Sequence, residues 1–264
     1  MDRPTLIHIG MPKTGTTSLQ SNLFVRHPQI QYIGKPLLAF SPDFKRLTRG
    51  ITYDVTLRDP ESLTRFEEDV VAPLLAQGTG PVVISEEEFS TSTPTSQVSP
   101  DEIADTLAAL FPSANILVTM RSQGRAFESL FRYMQSRQML GEVDFQDWFE
   151  ALFAIPQYQA LYDYGAVADR YRARFGSQRV HLVPFEWMRD APEGFVRHVA
   201  RLMDADEDVA VQVWGEGDVH NKGTGATVQL TADQEQRIAQ RYSESNHRVA
   251  QSIGLDLKEW GYAV

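Results

Sequence analysis

Short apolar runs alternate with amphipathic stretches along most of the chain. TLIHIG (5–10) predicts a strand that stops at a glycine. TTSLQSNLFVRH (16–27), with Leu19, Leu23 and Phe24 at helical spacing, predicts a helix directly after it. QIQYIG (29–34), GPVVIS (80–85), NILVTM (115–120) and RVHLVPFE (179–186) predict further strands. PESLTRFEEDVVAPLLAQG (60–78) reads as a helix bent at Pro73. SPDEIADTLAALFP (99–112) reads as a helix with Ser99 as N-cap, Pro100 in the first turn and Glu102 at the capping-box position. SQGRAFESLFRYMQSRQ (122–138), PEGFVRHVARLM (192–203) and TADQEQRIAQRYSESNHRVAQSIG (231–254) supply three more helices, the last stopped by a glycine. Residues 35–60 show no clean period and hold Pro36, Pro42, Gly50 and Pro60, so a long loop or short excursion is expected there. Strands that are apolar throughout, separated by helices, predict an α/β fold: a P-loop-like three-layer αβα arrangement around a central parallel sheet. The length of 264 residues suits a single domain over 1–264.

In such sheets ligands bind beyond the carboxyl ends of the strands. GMPKTGTTSLQ, Gly10 to Gln20, sits there and falls one residue short of the phosphate-binding pattern G-x-x-x-x-G-K-[ST]. Gly10, Gly15 and Thr17 fit it. Thr16 stands where the lysine belongs, and Lys13 lies inside the loop instead. Backbone N–H groups around Gly15 and Thr16, the hydroxyls of Thr16 and Thr17, and Lys13 reaching over from the loop would hold an anion at the helix start. The competing reading is an ordinary strand-to-helix turn carrying a surface lysine.

A second set follows the strand 115–120. Arg121 lies at its carboxyl end and Ser129 eight residues on, inside the next helix. Two helical turns rise about 11 Å, so the two side chains converge only if the turn folds the arginine back along the helix face. Converged, they would take a second phosphate, the arginine through its bidentate fork. Taken alone, Arg121 reads as an ion-pair residue and Ser129 as a helix-surface residue.

These segments resemble the family of sulfotransferases that use 3′-phosphoadenosine 5′-phosphosulfate (PAPS). PKTGTTSLQ resembles that family's 5′-phosphosulfate loop, and RSQGRAFESLFRY its 3′-phosphate segment. VHNKGTGAT (219–227) is similar to its late lysine/glycine loop, and NHRVAQSIGLDLKEWGYAV to the final helix and tryptophan of its carbohydrate-type branch. The resemblance implies PAPS as donor and its product PAP, with no metal. It implies that Lys13 contacts the 5′-phosphate and the oxygen bridging to sulfur. Gly15, Thr16 and Thr17 would hold the 5′-phosphate, with Pro12 and Thr14 completing the donor loop. Arg121 and Ser129 would take the 3′-phosphate, flanked by Lys222, Gly223 and Thr224. With no γ-phosphate or magnesium to hold, the usual P-loop lysine is dispensable.

Sulfuryl transfer requires the acceptor proton to leave. VVISEEEFS puts Glu86, Glu87 and Glu88 where the third core strand ends, and this resembles the branch that uses a glutamate base. Glu87 is favoured because Ser85-Glu86-Glu87 resembles a Ser-x-Glu after this strand in similar bacterial sequences. Glu86 is its rival, and an acidic loop capping the strand is the plain alternative. Neighbouring carboxylates would raise one another's pKa, which suits a base.

Of the histidines, His8 reads as a packed core residue and His220 as a candidate nucleotide contact. None is spaced for a metal. The aromatics of FRYMQ (131–135) and of 148–164 read as core or as an acceptor-cleft lining. Lys35, Lys45, Arg46, Arg49 and Arg58 read as a solvated face or as a surface for an anionic sugar.

The absence of cysteine excludes disulfides and thiolate nucleophiles. A net charge of −10 argues against nucleic acid and anionic membranes as partners. With no signal peptide in MDRPTLIHIGMPK and no run near the roughly 18 apolar residues of a membrane span, a cytoplasmic protein is expected. The favoured acceptor is a carbohydrate or glycolipid hydroxyl, then a phenol or small alcohol. The alternatives are a P-loop kinase, which would need the missing loop lysine and a magnesium-binding aspartate, and a noncatalytic nucleotide-binding protein.

Overall fold

The computed structural model describes residues 3–35, 41–90, 97–217 and 228–264. Five parallel strands form one sheet in the order β2-β3-β1-β4-β5: β1 Thr5–His8, β2 Gln31–Gly34, β3 Val82–Ser85, β4 Asn115–Met120 and β5 Val180–Pro184. Ile7 pairs with Ile84 on one side and Ile116 on the other, so the carboxyl ends of β1, β3 and β4 lie side by side.

The uninterrupted apolar strands have a simple reason. Successive side chains point to opposite faces, and both faces are covered. Leu6, Val83, Leu117 and Val183 pack with Phe195, Val196 and Val199 of the helix Pro192–Met203. Ile7, Ile84, Ile116 and Val118 face the other way, into the larger core. That core includes Ile103 and Leu107 of the helix Pro100–Leu110, Phe127 and Phe131 of Gln123–Ser136, and Tyr242 and Val249 of Ala232–Ile253. The three-layer αβα arrangement is therefore present as expected.

Local signals set the helix ends. Ser99 and Glu102 form both halves of the capping box. The final helix starts on a second box, Thr231 with Gln234, and stops at Gly254 in the left-handed conformation. The helix beginning Pro60–Phe66 passes through a π-helical stretch, Glu67–Val71, before Ala72–Leu75. Pro73 lacks the N–H that the turn before it would use, and the widened turn absorbs that loss.

The expected loop at 35–60 is corrected. A helix occupies Pro42–Tyr53, capped by the Ser41 side chain, which accepts from the Phe44 N–H. Its prolines sit at the first turn or outside it, where they do no harm, and Phe44, Leu47 and Ile51 form a buried helical stripe. Helices Phe145–Phe153, Pro156–Leu161, Tyr164–Phe175 and Glu207–Gly215 also lie where no element was expected. The aromatics of the first three are core: Phe149 stacks on Phe153 at 5.1 Å between centroids, and Phe127 meets Tyr162 at 4.9 Å. No described helix is long and apolar enough to cross a membrane.

Candidate active site

The loop after β1 is shaped by what its backbone cannot accommodate. A Cβ on Gly10 would lie 2.2 Å from Cγ2 of Thr16 and 2.7 Å from Oγ1 of Thr119. Gly15 has φ +88°, and a Cβ there would meet Met188 at 2.4 Å and Phe185 at 2.7 Å. Lys13 also adopts a left-handed backbone, φ 68°, which few non-glycine residues do. Gly15 then caps the short helix Thr16–Ser18, which runs on as the π-helical turn Leu19–Phe24. The Gly15 carbonyl accepts from the Ser18 N–H at 3.0 Å, whereas the Thr16 and Thr17 N–H groups ahead of it come too early for a bond within the helix.

Beneath the loop lies a buried polar floor. Thr14 donates to the Met11 carbonyl at 2.6 Å and pairs with the Thr119 hydroxyl at 2.8 Å. Its side chain therefore supports the loop from below and does not line the cleft. His8 contacts Ser85 Oγ through Nδ1 at 2.8 Å and Thr119 Oγ1 through Nε2 at 3.3 Å. Complete burial lowers its pKa to about 3, so it stays neutral, as a packed core histidine would.

Above the loop is a cleft of about 360 Å³. Pro12, Lys13, Gly15, Thr16 and Thr17 line it together with Arg121, Ser129 and Glu87. Arg121 and Ser129 do reach the same cleft. Tyr164 clamps the Arg121 backbone, donating to the Arg121 carbonyl at 2.6 Å and accepting from its N–H at 3.2 Å. The guanidinium lies over the Phe185 ring at 4.6 Å and donates from Nη1 to the Lys13 carbonyl at 3.1 Å. Its Nε is buried without a hydrogen-bond partner. A buried, unspent donor on a cation is what an anion at this position would satisfy.

Lys13 places its ammonium 4.4 Å from the centre of the Tyr133 ring. Burial lowers its pKa; Glu87 raises it, and Arg121 and Arg137 lower it further. A ring holds an ammonium without neutralising it, so the charge remains available to a ligand.

The three neighbouring glutamates have separate fates. Glu86 is buried behind the cleft and pairs with Lys35 at 3.1 Å. Glu88 accepts from the Tyr53 hydroxyl at 3.1 Å. Glu87 alone of the three lines the cleft, where Oε1 accepts from the Thr16 hydroxyl. Burial raises its pKa above the usual carboxylate range and Glu86 adds to this; Thr16, Lys35 and Lys13 oppose it.

Lys222, Gly223, Thr224 and His220 lie outside the described residues. Tyr133, one of the FRYMQ aromatics read as a cleft lining, does line the cleft; Arg132 and Phe185 line it without having been expected. Arg132 is about one helical turn beyond Ser129 and Phe185 directly follows β5, so face and strand-end position were the available signals. A larger cavity of about 970 Å³ adjoins, sharing Arg121 and Arg132 and reaching Trp260 and Tyr262.

A sequence profile of the sulfotransferase family matches residues 4–208. The chain belongs to the sulfotransferase family. A sequence comparison with curated proteins finds no match. Among solved structures, a sulfotransferase from Alicyclobacillus acidocaldarius is similar over 98% of this chain and 99% of its own, with a TM-score of 0.66 at 19% identity. Mouse sulfotransferase SULT7A1, solved with PAP, is similar over 100% of this chain and 89% of its own, with a TM-score of 0.60 at 13% identity. The sulfotransferase domain of the curacin biosynthetic pathway aligns over 97% of this chain and 99% of its own, with a TM-score of 0.53 at 13% identity. At these identities the similarity establishes the sulfotransferase fold. Expectation and family therefore agree, and the cleft is where the family's chemistry should be sought.

Proposed function

We propose that this chain is a PAPS-dependent sulfotransferase, a single domain that moves the sulfuryl group in line from PAPS to a hydroxyl or amine with Glu87 as base. One observation carries the reading: Lys13, Thr16, Thr17, Arg121, Ser129 and Glu87, far apart in sequence, line one 360 Å³ cleft. The roles follow from their chemistry. The opening N–H groups of the helix and the hydroxyls of Thr16 and Thr17 would hold the 5′-phosphate. Arg121, with its unspent Nε, and Ser129 would take the 3′-phosphate.

Lys13 would steady the charge that collects on the departing phosphate, an electrostatic role that a cation held by an aromatic ring can perform. Glu87 would accept the acceptor's proton, and its raised pKa brings it toward neutrality, where a general base is most effective. Glu86 is a poorer candidate because its charge is engaged by Lys35. The enzyme would work in the cytoplasm on a carbohydrate or glycolipid hydroxyl, with a phenol or small alcohol as the second choice.

The test is turnover. Purified protein with sulfur-labelled PAPS and a panel of sugars, glycolipids and phenols should release PAP and label at least one acceptor. Retention of all label in PAPS across the panel, with PAP unable to bind, would refute the assignment.

A further inference from the structure

Thr16 occupies two roles at once. Its hydroxyl belongs to the loop that would receive the donor's 5′-phosphate, yet in the free protein that hydroxyl donates to Oε1 of Glu87. A hydroxyl has one proton to give. Both acceptors are anionic, so each bond would be charge-assisted and the two compete. Within the proposed sulfotransferase reading, we propose that Thr16 links donor binding to the base: its proton serves Glu87 in the free protein and the donor phosphate in the complex, so that arrival of the donor releases the carboxylate for the acceptor's proton.

The surroundings favour a real change at Glu87 when that bond is lost. The groups bearing on its charge are Glu86 beside it, Lys35 after β2, Lys13 in the donor loop and Tyr162 at the end of the helix Pro156–Leu161. Lys35 is engaged by Glu86 at 3.1 Å, and Lys13 would turn toward the donor. Thr16 makes the largest contribution holding the ionised carboxylate in place against burial. Its departure therefore leaves a partly buried carboxylate with its strongest local support gone, and its hold on a proton rises. The consequence is an order of events: the base reaches full strength only beside a bound donor. Thr16 acts through Glu87 and is a positioning residue for the proton transfer.

The experiment follows the Glu87 carboxyl directly. Protein labelled with ¹³C at the glutamate carboxyl is titrated by NMR with and without saturating PAP, with E87Q identifying the resonance. Wild type, T16S and T16V are compared. In free T16V the Glu87 titration should lie about one pH unit above free wild type, the size expected for losing one charge-assisted hydrogen bond. PAP should move the Glu87 titration upward in wild type and T16S by about one pH unit more than in T16V. Equal displacements in wild type and T16V would mean that only the field of the bound anion acts, and would overturn the link. So would superimposable titrations of the free proteins, a comparison that stands even if T16V binds PAP poorly. Failure of the wild type to bind PAP would instead overturn the donor reading on which the link rests.

Discussion

The two sides of the cleft were built by different kinds of rule. On the proposed donor side, between Gly10 and Gln20, each feature follows from close neighbours: two glycines where a side chain would collide, a lysine inside the loop, and threonines opening the helix. On the proposed acceptor side, three identical glutamates in a row end in three environments, one against Lys35, one against Thr16 and one against Tyr53. Spacing fixes the first side. The second is decided by the turn Glu87–Ser90, held from outside the local sequence by Tyr171, which donates to the Phe89 carbonyl at 2.7 Å. A loop shaped by its own backbone is thus written locally, whereas the choice among equal side chains is made by the tertiary structure.

Substitutions can break this contrast, and the largest effect is expected on the acceptor side. E87Q keeps size and hydrogen bonding but cannot take a proton, so single-turnover kinetics with PAPS should show a loss of roughly 10² to 10⁴ in the chemical step. PAP affinity should change little. The low-pH limb of the rate profile should vanish with it, because wild-type activity falls as pH drops through the Glu87 pKa and the carboxylate is protonated. E86Q and E88Q should stay within a few-fold of wild type. A dead E86Q beside an active E87Q would shift the base by one residue and leave the rest intact.

Next in size is Lys13. K13A should lower kcat on the order of 10²-fold or more, as for removal of one preorganised electrostatic group. Near-normal rates in a folded K13A protein would remove the lysine from the reaction.

Arg121 sharpens the comparison within the donor side. R121A should weaken PAP by about 10-fold or more in calorimetry, while adenosine 5′-phosphate, which offers no 3′-phosphate to the guanidinium, should lose little. Equal losses would make Arg121 a structural residue, held by Phe185 and the Lys13 carbonyl for packing alone.

The smallest effect concerns stability and has a definite sign. A carboxylate whose folded pKa is raised favours the fold when protonated, and that contribution is lost as pH rises through the folded value. Ionised Glu87 therefore costs stability at neutral pH, and E87Q should be the more stable protein by about 1 kcal/mol, the ordinary size of a single-residue effect. Urea titrations at pH 7 should find this gain, and it should shrink toward pH 4. A loss of stability instead would mean that the bond from Thr16 and the field of Lys13 outweigh burial.

How far the sequence could be read follows the same division. The sheet and its capped helices were legible because both-face burial makes the strands uniformly apolar and because Ser99–Glu102 and Gly254 mark helix ends in a few residues. The helix Pro42–Tyr53 was hidden because its prolines and Gly50 look like loop punctuation, although Phe44, Leu47 and Ile51 carry its period. The helices between 145 and 175 were obscured by aromatics at nearly every turn, since a helix buried on several sides loses its polar face. Within the cleft, Lys13, Thr16, Thr17, Arg121 and Ser129 were found by motif spacing. Arg132 and Phe185 were missed because their place depends on how the helix Gln123–Ser136 and the end of β5 turn toward the loop.

If the proposed function is right, this cleft holds a 3′,5′-bisphosphate nucleotide without a metal. Calorimetry in the presence of EDTA tests it most directly, with PAP, adenosine 5′-phosphate and ATP as ligands and a parallel run of ATP with magnesium. PAP should bind without magnesium, with adenosine 5′-phosphate weaker by about 10-fold or more for want of the Arg121 contact. Equal affinity for the two adenosine nucleotides, or binding confined to ATP with magnesium, would contradict it.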